Sequence, residues 1–203
     1  MKNATMARKL RFSDAVYAIN TTPKALRNWL QRGLVDIYTP QREDGGWAEY
    51  SFIDIAILAL VRQLVNFGVN VPTASGIANK VMTEFFPSVL NVKEPDNMPA
   101  GVLAAMWVNR RLYVYPNEDG DSWHMRCVAL WESDLSRKAE FGKAFPERAE
   151  PWMEHFNPDA PSGIALIRRE IEPAPAFLSI DVESVFTAAF ERAAESANEG
   201  ADD

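Results

Sequence analysis

The feature that most constrains the fold is a short helix signal with marked ends at residues 22–34 (TPKALRNWLQRGL). Thr22 is a suitable N-cap, because its side-chain oxygen can accept a hydrogen bond from a backbone N–H of the first turn. Pro23 suits the first helical position, and Gly33 suits the exit, where a left-handed backbone is common. Local sequence therefore predicts a helix of about three turns whose two ends are both fixed.

Two stripes run along this predicted helix. The apolar residues recur at i, i+3 and i+4 and are expected to face the core: Leu26, Trp29 and Leu30. The polar residues, which carry hydrogen-bond donors, are left pointing outward: Lys24, Arg27, Asn28 and Gln31. An apolar anchor opposite a donor-rich stripe fits an element that lies in a DNA groove, where phosphates and base edges accept hydrogen bonds.

The elements around this helix complete a predicted N-terminal domain at residues 1–84. In chain order they are a helix at 13–19, a turn at 20–22, a strand at Ile37 and Tyr38, a turn at 41–46 and a returning strand at 47–50. The turn contains Asp44-Gly45-Gly46, a strong hairpin signal. Arg42 lies at the tip of this hairpin, or wing, where a side chain can reach the DNA backbone.

Two more helices are predicted after the wing. Ser51 and Asp54 resemble a capping box that opens a long apolar helix, and Gly68 ends it. Asn70 is then expected to cap a fourth helix that runs to about Met82.

This order of elements resembles that of MerR-family regulators over roughly residues 10–82. The most specific match is Leu26-Arg27 followed by Trp29 and Arg32-Gly33-Leu34, and the wing closes on an aromatic residue, Tyr50. The resemblance implies a winged helix-turn-helix that binds double-stranded DNA and regulates transcription. The predicted DNA contacts, from the helix and the wing together, are Thr22, Lys24, Arg27, Asn28, Gln31, Arg42 and the hydroxyl of Tyr50.

The similarity to the family ends after the fourth helix. MerR-type dimers resemble one another in having a long coiled-coil helix there, whereas this chain has Pro87, Pro95 and Pro99. Proline is not tolerated inside a helix, so residues 85–100 are predicted to be a linker. Dimerisation must then use another part of the chain.

Residues 101–203 are predicted to form a small α+β domain, so the whole chain is expected to be α+β. Aromatic and β-branched residues predict two antiparallel strands, at 102–115 and 123–131, and further strands at 164–171 and 176–180. A last helix begins after Asp181. Its apolar face is expected to pack on the sheet of its own domain or, in part, on a second copy: Val182, Val185, Phe186, Ala189, Phe190 and Ala193.

The aromatic residues of this domain allow two interpretations. They could line an effector pocket, since aromatic walls suit an apolar ligand, or they could be ordinary core residues of strands. They are Trp107, Tyr113, Tyr115, Trp123 and Trp131.

Charge is divided unevenly along the chain. Residues 1–82 contain 10 Lys and Arg against 6 Asp and Glu, whereas residues 83–203 contain 11 against 22. A basic first part and an acidic second part favour DNA binding by the first and dimerisation, effector binding or partner binding by the second. No apolar signal core or membrane-length stretch is present, which predicts a cytoplasmic protein.

The leading hypothesis is a sequence-specific transcriptional regulator that binds an inverted repeat as a homodimer. Two alternatives remain: an architectural or recombination-directing factor of the excisionase kind, and a winged module that binds a protein partner. An enzyme is not expected, because the single Cys127 and the two histidines, His124 and His155, match no metal or nucleophile-base spacing. No metal or cofactor is predicted.

Overall fold

The computed structural model describes residues 10–39, 49–85, 110–116, 123–129, 167, 171 and 176–199. The contacts divide the chain into two units, one of residues 1–104 with 184–203 and one of residues 105–183. The predicted linker at 85–100 falls almost wholly outside the described residues, and so does the predicted wing turn at 41–46.

Four helices of the first unit follow the predicted order: α1 (Phe12–Ala18), α2 (Pro23–Gln31), α3 (Phe52–Asn66) and α4 (Val71–Phe85). The apolar α3 is buried along most of its length and forms the centre of the unit. Its ends match the prediction, with a capping box between Ser51 and Asp54 and a left-handed Gly68 (φ +87°) after its last turn. The Asn70 side chain accepts the Thr73 N–H at 3.0 Å and caps α4.

A fifth helix, α5 (Val182–Glu199), joins this unit from the far end of the sequence. The Phe190 ring lies on the Phe52 ring of α3, with centroids 3.4 Å apart. Arg192 Nε donates to the Ala18 carbonyl oxygen at 2.8 Å, and Ser196 Oγ donates to Asp14 Oδ1 at 2.7 Å.

The position of α5 differs from the one expected for it. The domain predicted at residues 101–203 includes this helix, yet from Ser184 onward the helix groups with the N-terminal residues. Four members of its apolar face are buried: Val182, Phe186, Ala189 and Ala193. These four residues are therefore covered by other parts of the same chain and are not available for pairing with a second copy. The 3.6-residue period of the apolar residues predicts that this helix has a buried face. It does not predict which part of the chain packs on that face.

The second unit contains a three-stranded antiparallel sheet in the order β2-β1-β3. Its strands are β1 (Arg110–Pro116), β2 (Trp123–Ala129) and β3 (Leu178–Asp181). The antiparallel pairing of the first two is confirmed. The strand predicted at 164–171 is wrong at its two described residues, Ile167 and Ile171, which are helical.

Together these elements confirm the α+β class: helices first, then an antiparallel sheet, then a C-terminal helix. In the parts of the chain that the structure describes, no helix is both long enough and apolar enough to span a membrane.

Candidate nucleic-acid interface

Both ends of α2 are fixed by the residues that predicted them. Thr22 Oγ1 accepts the Ala25 N–H at 3.1 Å, and Pro23 occupies the first turn. At the other end Gly33 is left-handed (φ +59°), and the Leu34 N–H reaches back to the Trp29 carbonyl oxygen at 2.8 Å. This is the C-terminal motif in which a glycine lets the chain turn back on the last carbonyls.

The division of α2 into two faces is also as expected. Leu26 and Trp29 are buried, at 0% and 6% exposure, and Leu30 is half-buried. The exposed residues occupy positions i, i+3, i+4 and i+7 of one face: Lys24, Arg27, Asn28 and Gln31. Thr22 is exposed at the N-terminal end of this face. Of the four residues of this face, Lys24 and Arg27 are cationic and none is acidic, so the face is electropositive.

The turn between α1 and α2 is held by two arginines from distant helices. Asn20 is left-handed (φ +49°), a conformation that asparagine tolerates better than most residues. Arg62 Nε of α3 donates to the Asn20 carbonyl oxygen at 3.2 Å, and Arg192 of α5 holds the carbonyl of Ala18. Charge-assisted hydrogen bonds of this kind fix the angle at which α2 leaves α1. Neither arginine was singled out from the sequence.

Asp54 anchors both described ends of the wing segment. Its carboxylate is fully buried and accepts the Tyr38 N–H at 2.7 Å and the Thr39 N–H at 3.0 Å on one side. On the other side it accepts the Ser51 N–H and hydroxyl, both at 2.8 Å, and the Thr39 hydroxyl also donates to it. The capping box predicted this aspartate, but not its bonds to residues 38 and 39.

The same bonds correct the strand predicted at Ile37 and Tyr38. The described residues there are not a strand, because the Tyr38 amide donates to a carboxylate and not to a neighbouring strand. The only bridge of Tyr50 in the described part of the chain is an antiparallel one to Leu10, with N···O distances of 2.8 and 3.0 Å. Arg42, the predicted contact at the wing tip, lies outside the described residues.

Tyr50 does not fit the role predicted for its hydroxyl. The residue is 1% exposed, and its hydroxyl is buried with no hydrogen-bond partner among the described residues. Burial, and to a lesser extent the charge of Asp54, raises the pKa of Tyr50 to about 12. A hydroxyl in this position is out of reach of a phosphate, so Tyr50 is a core residue.

Replacing Tyr50 by phenylalanine is therefore expected to stabilise the protein by about 1 kcal/mol at neutral pH, because the unpaired buried hydroxyl is removed. The gain should grow between about pH 10 and pH 12, since the tyrosine of the unfolded chain ionises near pH 10 and that of the folded chain near 12. Denaturant titrations of both proteins at pH 7 and about pH 11 measure this. A destabilised variant would reveal a hydrogen bond to the hydroxyl.

The aromatic residues of the sheet do not gather on one side. Tyr113 and Tyr115 lie on one face of β1, where Tyr113 is buried against Val128 and Ile171. Trp123 pairs with Pro116 and, because side chains alternate along a strand, lies on the other face, 48% exposed. The effector pocket predicted from all five aromatics is thus not formed by the three that the structure describes. The other two, Trp107 and Trp131, lie outside the described residues.

A short capped helix with a buried apolar side and an exposed cationic side, set against a preceding helix by a tight turn, defines a helix-turn-helix domain. Residues 10–80 match the family described as the MerR HTH family regulatory protein. The match covers about a third of the chain and coincides with the helices that carry the turn and the exposed cationic face. No curated protein matches the chain.

Proposed function

We propose that this protein is a sequence-specific DNA-binding regulator of transcription, without enzymatic activity, that binds an inverted repeat as a homodimer. The observation that supports this most directly is the outer face of α2, where four donor-bearing side chains are exposed on one side of a helix whose other side is buried. The family of the N-terminal domain supports the same class of function.

The side chains of this face divide into two kinds by chemistry. Arginine, asparagine and glutamine can make paired hydrogen bonds to base edges in the major groove, which suits Arg27, Asn28 and Gln31 to sequence discrimination. Lys24, near the start of α2, and Arg42 of the wing are suited to phosphates, which supply much of the affinity but no sequence information. Binding is therefore expected to weaken steeply with salt.

Selection of preferred sites from random duplex DNA by the full-length protein tests this function. We expect enrichment of one short motif in two inverted copies. Bending of many clustered sites without an effect on a reporter promoter would favour an architectural factor instead. Failure to enrich any motif at low salt would contradict the proposal.

The Arg27→Ala variant should bind the selected site about 1–3 kcal/mol more weakly, because a base contact is lost, and should discriminate less at one position. Titration of labelled duplexes, matched and mismatched at each position, measures both effects. Arg126→Ala, which removes an exposed positive charge from β2 in the other unit, is the matched control and should leave affinity unchanged. An unaltered affinity of a folded Arg27→Ala protein would refute the contact.

The Arg42→Ala variant should behave differently, since a phosphate contact carries no sequence information. We expect weaker binding to all duplexes alike and a dependence of log affinity on log salt that is flatter by about one unit. Affinities for specific and random duplexes at several salt concentrations measure this slope. Lost discrimination with an unchanged slope would contradict the phosphate contact.

The homodimer is proposed because one short recognition helix reads only a few base pairs. The test requires the full chain, since a fragment that ends near the linker would lack α5, which packs on α1 and α3. Analytical ultracentrifugation with and without the selected duplex should give the mass of two chains on the DNA. One chain per duplex at saturation would contradict the dimer.

A further inference from the structure

The guanidinium of Arg27 lies on an aromatic ring. Its central carbon is 5.1 Å from the centroid of the Phe12 ring, within the range of a cation–π contact. Phe12 is half-buried at the first position of α1, whereas Arg27 is exposed in the middle of the face of α2 proposed to meet DNA. The contact therefore joins the two helices of the motif at that face.

A ring differs from a carboxylate as a partner for arginine. A carboxylate neutralises the guanidinium and accepts hydrogen bonds from two of its N–H groups. A ring face attracts the cation but leaves the N–H groups in the plane of the guanidinium free to donate to other acceptors. In the described part of the chain, Arg27 has no ion pair or hydrogen bond through its guanidinium. Its charge and its donors thus remain available to a ligand.

The Phe12 ring lies beside a buried ring, and the helix that carries it is fixed at its start. It lies 6.4 Å, centroid to centroid, from the ring of the buried Tyr50. The start of α1 is fixed by Asp14, whose carboxylate accepts the Arg11 N–H at 2.8 Å and the hydroxyl of Ser196 from α5. Phe12 is therefore a rigid support next to a long and otherwise flexible side chain.

We propose that Phe12 is a positioning residue that holds the guanidinium of Arg27 against its ring in the orientation for contact with DNA. This inference rests on the proposed function and adds to it a residue that touches no DNA itself. An arginine already ordered in the free protein loses less conformational entropy when it binds. Phe12 thereby strengthens DNA binding only through Arg27.

A double-mutant cycle on the selected duplex tests this role. Phe12→Leu keeps an apolar side chain but removes the ring face, and we expect affinity to fall about two- to fivefold, as for a cation–π contact at an exposed site. In the Arg27→Ala background the same substitution should have no effect. Phe12→Tyr keeps the ring and should retain the affinity of the wild type.

Two results would overturn the inference while leaving the proposed function intact: an unchanged affinity of Phe12→Leu, or an equal loss in both backgrounds, which indicates a general packing role. A wild-type protein that binds no DNA overturns both.

A second measurement needs no variant. The side-chain protons of Arg27 should show upfield ring-current shifts in the NMR spectrum of the free wild-type protein, and shifts typical of an unstacked arginine would refute the contact.

Discussion

Replacing Asp54 with alanine is expected to lower the free energy of unfolding of the first unit by about 3 kcal/mol or more. The substitution removes the acceptor of three partly buried backbone N–H groups, those of Tyr38, Thr39 and Ser51, and the loss of a partner costs a buried amide about 1–3 kcal/mol. Because these amides lie on both sides of residues 40–48, the two described ends of the wing segment should also lose their connection to α3. DNA affinity is then expected to fall with stability.

Native-state hydrogen exchange of the α3 amides measures this loss, because α3 is the buried centre of the unit. Asp36→Ala is the matched control: its side chain is exposed, although its backbone is bound by Ser75 and Asn79, and we expect a change of at most about 0.5 kcal/mol. Equal effects of the two substitutions would show that Asp54 does not organise the wing.

The second large effect is expected from Phe186→Ala in α5. The ring is fully buried and lies 5.8 Å, centroid to centroid, from Phe190, which in turn stacks on Phe52 of α3. Truncation of a buried phenylalanine leaves a cavity and typically costs about 3–5 kcal/mol. Since α5 packs on the N-terminal helices, we expect faster hydrogen exchange in α1 as well as in α5.

Thr187→Ala, at the next and exposed position of α5, is the control and should leave the exchange rates of α1 unchanged. Faster exchange confined to α5 and the sheet in the Phe186→Ala variant would mean that the helix belongs to the C-terminal domain after all. That result would restore the domain boundaries expected from the sequence.

The sequence predicted those parts of the fold that depend on neighbours within about four residues. The cap at Thr22, the exit at Gly33 and the capping box at Ser51 and Asp54 are all confirmed, because each is a contact between a side chain and the backbone of an adjacent turn, or a backbone conformation that glycine favours. The outward face of α2 follows from the 3.6-residue period alone, so spacing along the chain is sufficient to place Arg27 on it.

The errors share one physical origin. Tyr50 and the Ile37–Tyr38 segment have the pattern of strand residues with one exposed side. In the structure, however, Tyr50 pairs with Leu10, and the Tyr38 amide donates to the carboxylate of Asp54. Strand periodicity describes the side chains and does not reveal which group will accept a given amide hydrogen. Trp123 shows the same limit, because its side of the sheet is set by the pairing register.

By itself the sequence determined a helix-turn-helix that resembles those of MerR-type regulators, the caps of its helices and the residues that face outward from its second helix. Only the tertiary structure decided what covers α5, which arginines hold the turn at Asn20, and that Arg27 rests on Phe12. The reason is physical. Local hydrogen bonds are set by spacing along the chain, whereas contacts between residues far apart in sequence exist only once the chain has closed around a common core.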